Sequence, residues 1–158
     1  MRPLAIFDID GVLADVRHRV HHLEGRRKDW GAFFQAAPRD GLHPEGLALA
    51  LEAARECDIA YVTGRPEWIR AETSAWLATH GLPDGDLVMR RRGDHRPAAQ
   101  AKLQLLEHLA AGRTVAVIVD DDVDVCDAYE AAGFAVLRAA WAPRSEALHV
   151  AQEEDGRT

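Results

Sequence analysis

The chain has 158 residues, 47% of them hydrophobic, which suits one domain with an ordinary core and leaves little material for a second. Its 19 Lys and Arg against 26 Asp and Glu give a formal charge of −7, which excludes sequence-blind adhesion to nucleic acid through bulk charge but allows a local basic patch. No stretch approaches the ~20 apolar residues of a membrane span, no apolar leader precedes the first strand, and Cys57 and Cys126 lack CxxC spacing; a soluble, cytoplasmic protein with reduced thiols is expected.

Pro3–Asp8 reads as a buried strand whose tip carries Asp8-Ile9-Asp10-Gly11. Two carboxylates so close together repel unless a cation or a proton relieves them, so they suggest a metal and phosphate site; an ordinary solvated turn is the plain alternative. Ala14 to Pro44 follows, roughly 30 mostly polar residues where a βα loop usually has about 2–6. Within it Val16–Leu23 and Trp30–Ala37 have the pattern of short amphipathic helices, with Trp30, Phe33 and Phe34 as packing anchors.

Beyond the insert, helices are expected at Glu45–Cys57, Pro66–His80, Pro97–Ala111 and Val123–Ala132, and strands at Asp58–Thr63, Asp86–Met89, Thr114–Asp120 and Phe134–Arg138. Gly81, Gly112 and Gly133 each stand where a helix stop belongs. Alternation of this kind predicts an α/β fold, Rossmann-like, with a five-stranded parallel sheet covered by helices on both faces. In order of occurrence the strands should lie third, second, first, fourth, fifth, because Asp8 must stand between Thr63 and Asp120 for both to reach one phosphate. The acidic end, Gln152–Thr158, reads as a frayed tail.

The strand tips of a parallel sheet open on one edge, so Asp8, Asp10, Thr63, Asp120 and Asp121 converge there, joined by Lys102 from the third helix. Phosphoryl transfer through an aspartyl phosphate needs such a set: an attacking carboxylate, a divalent cation such as Mg²⁺, a hydroxyl and an ammonium on the phosphate oxygens, and a second carboxyl for the leaving oxygen.

In content and order these motifs resemble the haloacid dehalogenase superfamily of phosphotransferases: Asp8-Ile9-Asp10-Gly11-Val12, then Thr63-Gly64-Arg65, Lys102 and Asp120-Asp121. The resemblance implies Asp8 as nucleophile, Asp10 as general acid/base and, through its main-chain carbonyl, a metal ligand. It further implies Thr63 and Lys102 on the phosphate, and Asp120 and Asp121 on the metal with Asp8. Leu87–Arg90, Gly93-Asp94-His95-Arg96 and Lys102 are similar, more narrowly, to the 3′-phosphatase domain of phage and bacterial polynucleotide kinases, as are Val16–Arg19 and Asp29–Phe34. That likeness implies a nucleotide or nucleic-acid 3′-end as substrate, with Gly64, Arg65, Arg96 and Arg19 on the substrate side. No GxxxxGK[ST] loop is present, so no kinase half is expected beside these motifs, and whether a separate kinase works with the protein is left open.

Plainer readings stand beside these. Asp122, Asp124 and Asp127 suit a helix start whatever the function. Arg90–Arg92 with Arg96 form the dense basic cluster, either a solvated loop or a phosphate clamp led by Arg96. His18, His21, His22 and His43 lack the partners of a zinc motif, and a nucleotide-facing role suits His18 or Arg19 better. Trp68 and Trp76 read as core or edge packing on one helix and not as stacking platforms. Asp10 should hold a proton in its crowded acidic site. A phosphatase of small metabolite phosphates is the alternative substrate class. A receiver-like phospho-acceptor domain fits less well, because receivers carry the acidic pair after the first strand and the acceptor on the third.

Overall fold

A computed structural model describes residues 1–143 and 145–158. Its centre is a parallel sheet of five strands, β1 (Leu4–Phe7), β4 (Asp58–Pro66), β5 (Gly85–Arg90), β6 (Val115–Asp120) and β7 (Val136–Arg138), in the order β5-β4-β1-β6-β7. This is the expected order, with the Asp8 strand in the middle. Side chains of β1 alternate between two cores. Ala5 and Phe7 pack with Ala50 of α2 (Pro44–Ala53) and with Trp76 and Leu77 of α3 (Arg70–Thr79). Leu4 and Ile6 pack with Leu106 of α4 (Ala98–Ala110) and with Val125 and Tyr129 of α5 (Val123–Ala131). Burial on both faces is why β1 has no polar alternation.

The pairing register does the positioning. Phe7 lies opposite Tyr61 on one side and Val119 on the other, so the next residues, Asp8, Val62 and Asp120, reach the sheet edge together and Thr63 follows one step later. Between Thr63 and Pro66 the β4–β5 register slips; such an irregularity re-aims the side chains it carries, here those of Gly64 and Arg65.

The insert is more ordered than a long polar loop. A two-residue antiparallel pair, β2 (Ala14–Asp15) with β3 (Gly41–Leu42), ties its ends together. Between them lie a 3₁₀ segment (Arg17–Leu23), α1 (Trp30–Gln35) capped by the Asp29 carboxylate, and a 3₁₀ turn (Ala37–Arg39). Leu23, Phe33, Phe34 and Ala37 form a small core of their own with Ile69, Met89 and Ala151.

Two elements depart from expectation. The helix begun at Pro66 is broken: a 3₁₀ turn at Glu67–Ile69 precedes α3, so Trp76 faces inward while Trp68 is 58% exposed. The tail expected to fray is instead α6 (Glu146–Asp155), capped by the Ser145 hydroxyl and closed by Gly156 in the left-handed conformation. Its acids are held by the insert, since Trp30 donates its indole N–H to Asp155 at 2.7 Å and Lys28 pairs with Glu154. Thr158 ends up buried, 4% exposed. No helix among the described residues is long and apolar enough to cross a membrane.

Candidate active site

Asp8, Asp10 and Thr63 meet Lys102 at the walls of one small cavity on the strand-tip edge. Lys102 projects from the first turns of α4 and is buried, its ammonium 3.0 Å from Asp8 and 2.8 Å from Asp120. Burial alone pulls that ammonium down, but Asp120 and Asp8 outweigh it and hold the charge firmly in place. Carboxylate oxygens of Asp8, Asp120 and Asp121 lie within 4.8 Å of one another. Gly11 makes the crowding possible: its φ is +82°, and a Cβ there would stand 2.1 Å from Asp121 Oδ2.

The charges do not balance on this side. Asp8, Asp120 and Asp121 face Lys102, so with all three ionised, three carboxylates against one ammonium leave an excess of two negative charges, the complement of a divalent cation; without the cation, protons relieve it. Burial, then Asp120, push the Asp8 carboxyl well above its ordinary range. Asp121, open to solvent at its outer edge, is pushed up to about 7 by partial burial and by Asp120. The donor set fits an oxygen-seeking cation such as Mg²⁺, with Asp8, Asp120 and Asp121 as ligands.

Asp10 is held otherwise. Its Oδ1 accepts from Arg65 Nε at 2.8 Å and from Arg19 Nη2 at 3.1 Å, while Oδ2 is buried without a hydrogen-bond partner among the described residues. Both guanidinium groups also grip Asp40, at 2.8 Å from Arg19 and 2.9 Å from Arg65. Arg19 further sits 4.2 Å over the Phe33 ring, and Asp40 accepts from His18 Nε2 across 2.6 Å. Two cations facing two anions make this network self-sufficient. Burial raises the Asp10 carboxyl, but Arg65 and Arg19 outweigh it and hold the group below its ordinary range.

Several sequence-derived assignments change accordingly. Asp10 was expected to hold a proton, but the guanidinium groups of Arg65 and Arg19, brought to it from distant segments, hold its carboxyl below the ordinary range. Arg19 and Arg65 show no surface and line no part of the cavity; they stand behind Asp10 and leave Gly64 alone at the wall. Arg96 is outside the site, an exposed side chain paired bidentately with Asp94 at 2.8–2.9 Å and bonded to Gln104. Arg90 is buried and structural, donating to the carbonyls of Arg96 at 2.7 Å and Thr158 at 3.3 Å. Asp122 caps α5 with its carboxylate and Asp124 lies in the first turn, the plain reading of that acidic run. Asp40, the residue joining insert to sheet, was missed; one Asp in a polar loop gives no signal until folding buries it. Arg17, paired to Asp15 at 2.6 Å, and His43 also line the cavity, a position that neither the Val16–Arg19 likeness nor the histidine spacing had indicated.

The parallel sheet and this acidic strand-tip site together define a phosphatase of the haloacid dehalogenase type. The chain belongs to the family of polynucleotide kinase PNKP phosphatase domains, whose family model matches residues 3–142. No curated protein sequence matches it. Among solved structures it is similar to a chain of the Pnkp1/Rnl/Hen1 RNA repair complex (TM-score 0.73, 22% identity, covering 87% of this chain and 42% of that one). A second Pnkp1/Rnl/Hen1 structure gives TM-score 0.70 and 25% identity, over 87% of this chain and 45% of the other. A haloacid dehalogenase-like hydrolase from Streptococcus pneumoniae shares the fold at TM-score 0.61 and 12% identity, over 94% and 90% of the two chains. The chain thus spans less than half of the two RNA-repair chains it matches.

Proposed function

We propose that the protein is a Mg²⁺-dependent phosphomonoesterase that forms an aspartyl phosphate on Asp8 and acts on the 3′-phosphate of a polynucleotide or nucleotide, within one phosphatase unit that includes the insert. The observation that carries the chemistry is the convergence of Asp8, Asp120, Asp121 and Lys102 with their two uncompensated negative charges. The family match and the RNA repair assemblies of the similar structures support the substrate.

A bound Mg²⁺ supplies the positive charge that lets a phosphate approach these acids and holds Asp8 ionised. Asp8 then attacks phosphorus and the bond from phosphorus to the ester oxygen breaks. Lys102 and the Thr63 hydroxyl hold equatorial oxygens, taking the charge that moves there. Asp10 acts through Oδ2, the oxygen its arginines leave unfilled. An arriving phosphate adds negative charge beside Asp10 and raises its proton affinity, so Asp10 takes a proton from solvent as substrate binds and passes it to the leaving oxygen. In the second step Asp10 takes a proton from the water that hydrolyses the acyl phosphate, and the arginines keep it pointed throughout. They are positioning residues, since neither reaches the cavity.

The test is phosphate release from 3′-phosphorylated oligonucleotides, nucleoside 3′- and 5′-monophosphates and sugar phosphates, with Mg²⁺ and after chelation. Turnover that needs the metal, prefers a 3′-phosphate and leaves a hydroxylamine-sensitive phosphoryl group on the protein supports the proposal. Far more efficient turnover of a sugar phosphate shifts the substrate to a small metabolite, which the cavity of about 70 Å³ also admits at its phosphoryl end.

A further inference from the structure

By the ~10–15 Å³ that a single water needs, a cavity of about 70 Å³ has room for a handful of water-sized groups and none for a nucleoside. Whatever bears the phosphate must lie outside it. Next to it runs a much larger groove, about 830 Å³, between the insert, the turn after β4 and the loop after β5. The two share a wall along the chain: Thr63 and Gly64 line the cavity while Pro66 and Glu67 line the groove, and Thr158 and Arg157 divide in the same way.

The groove combines two features that nothing in the catalytic site uses. Trp68 stands on its wall 58% exposed, braced edge-on by Phe34 at 6.0 Å, which in turn stacks on Trp30 at 5.7 Å. A braced indole is a fixed platform and not a mobile surface side chain. Around it are the exposed guanidinium groups of Arg91, Arg92 and Arg157, none with a side-chain hydrogen bond or ion pair among the described residues. The two acids of the wall are already neutralised, Glu67 by Arg70 at 2.7 Å and Asp94 by Arg96 at 2.8 Å. On a chain of net charge −7, this is a local surplus of cations beside an aromatic face.

The geometry points to this groove as a track for single-stranded nucleic acid, in which the nucleotide next to the scissile 3′-phosphate stacks on Trp68 and upstream phosphates lie against Arg91, Arg92 and Arg157. This deepens the function proposed above and rests on it. Unpaired arginines alone suit any polyanion, but an indole platform among them suits bases, each of which offers a π-face. A duplex keeps its bases stacked on each other, so the occupant is a single-stranded end. Of the basic cluster read from the sequence, Arg91 and Arg92 take this role, Arg157 joins them, and the buried Arg90 and the Asp94-paired Arg96 do not.

The test uses the full chain and single-stranded substrates of one to six nucleotides ending in a 3′-phosphate. KM should fall as the first few nucleotides are added and then level off. Trp68→Ala should raise KM for the longer substrates about 5- to 100-fold, the scale of one lost base stack, with little change in kcat. Replacing the terminal nucleotide by an abasic one should cost the wild type a similar factor and cost Trp68→Ala nothing further, the mark of one shared contact. The Arg91→Ser, Arg92→Ser double variant should flatten the salt dependence of oligonucleotide binding by about 0.7 per lost phosphate contact in log K against log salt. Fluorescence anisotropy of an oligonucleotide with a 3′-hydroxyl, which cannot be turned over, separates this inference from the function beneath it. Binding that Trp68→Ala weakens, without hydrolysis of any 3′-phosphate, keeps the groove and sinks the 3′-phosphatase assignment. Hydrolysis that is indifferent to length, with Trp68→Ala unchanged, sinks the groove alone. Polyphosphate or an acidic peptide competing as well as an oligonucleotide, whether or not Trp68 is present, overturns the assignment to nucleic acid.

Discussion

Asp8 and Asp10 are separated by one residue and live in opposite electrostatic surroundings. The Asp8 side is made by the sheet, with Asp120 and Asp121 from the end of β6 and a single Lys102 against them. The Asp10 side is made by the insert and the Gly64–Arg65 irregularity, where Arg19 and Arg65 face Asp10 and Asp40 in equal number. One carboxyl is driven up and the other held down. The difference teaches that a charge shortage and a charge balance can be set side by side when separate elements supply the counter-ions. The unbalanced side is suited to gain a cation and a phosphate; the balanced side needs nothing and can hold Asp10 still.

The largest effects should separate the two acids. Asp8→Asn removes the nucleophile and should lower kcat by about 10⁴-fold or more, while the metal-free melting temperature stays level or rises because one repelling charge is gone. A drop of several degrees would break the comparison. Asp10→Asn should lower turnover by about 10²–10⁴-fold, the range for a lost proton-transfer group, with phosphate binding retained. Isothermal titration with inorganic phosphate in Mg²⁺ checks the latter.

Asp40→Ala tests the balanced side directly. It leaves Arg19 and Arg65 buried with one carboxylate between them, so urea unfolding should show a loss of about 3–5 kcal/mol. It should lower kcat as well, though Asp40 lies off the cavity wall. A loss below about 1 kcal/mol would mean that the network is not what holds the insert.

The unbalanced side should show itself through pH. Asp8 and Asp121 have folded-state values above the ordinary carboxylate range, Asp121 near 7. Protons bound there stabilise the fold below about pH 4, and that stabilisation is lost as pH rises through the raised values. Metal-free protein should therefore melt at a lower temperature at pH 8 than at pH 5, and Mg²⁺ should close much of the gap by taking the place of the protons. Asp121→Asn should shrink both the gap and the Mg²⁺ effect. Smallest of all, Arg96→Ala breaks an exposed pair and should change stability by less than about 1 kcal/mol and turnover hardly at all. A large loss of activity there would restore Arg96 to the substrate side.

Much of this was legible in the chain itself. Apolar runs at β1, β4 and β6 and the helix stops at Gly81, Gly112 and Gly133 reflect local patterning, and in a parallel sheet local patterning fixes which residues stand at the tips. Asp8, Thr63, Asp120 and Lys102 could be read together for that reason. Charge balance could not, because it depends on neighbours from distant segments: Asp40 and Arg19 come from the insert and Arg65 from β4, and only packing brings them around Asp10. The same limit hid the groove. Spacing alone placed Trp68 with Trp76 on one helix, and the 3₁₀ turn at Glu67–Ile69 rotated them apart. It also hid the order of the C-terminal segment, whose acids look solvated in sequence and find Lys28 and Trp30 only in the folded chain. Sequence alone determined the sheet, its edge and the acids on it, because backbone periodicity is local. Tertiary structure decided which of those acids are neutralised and which cations remain free beside them, because electrostatic pairing is not.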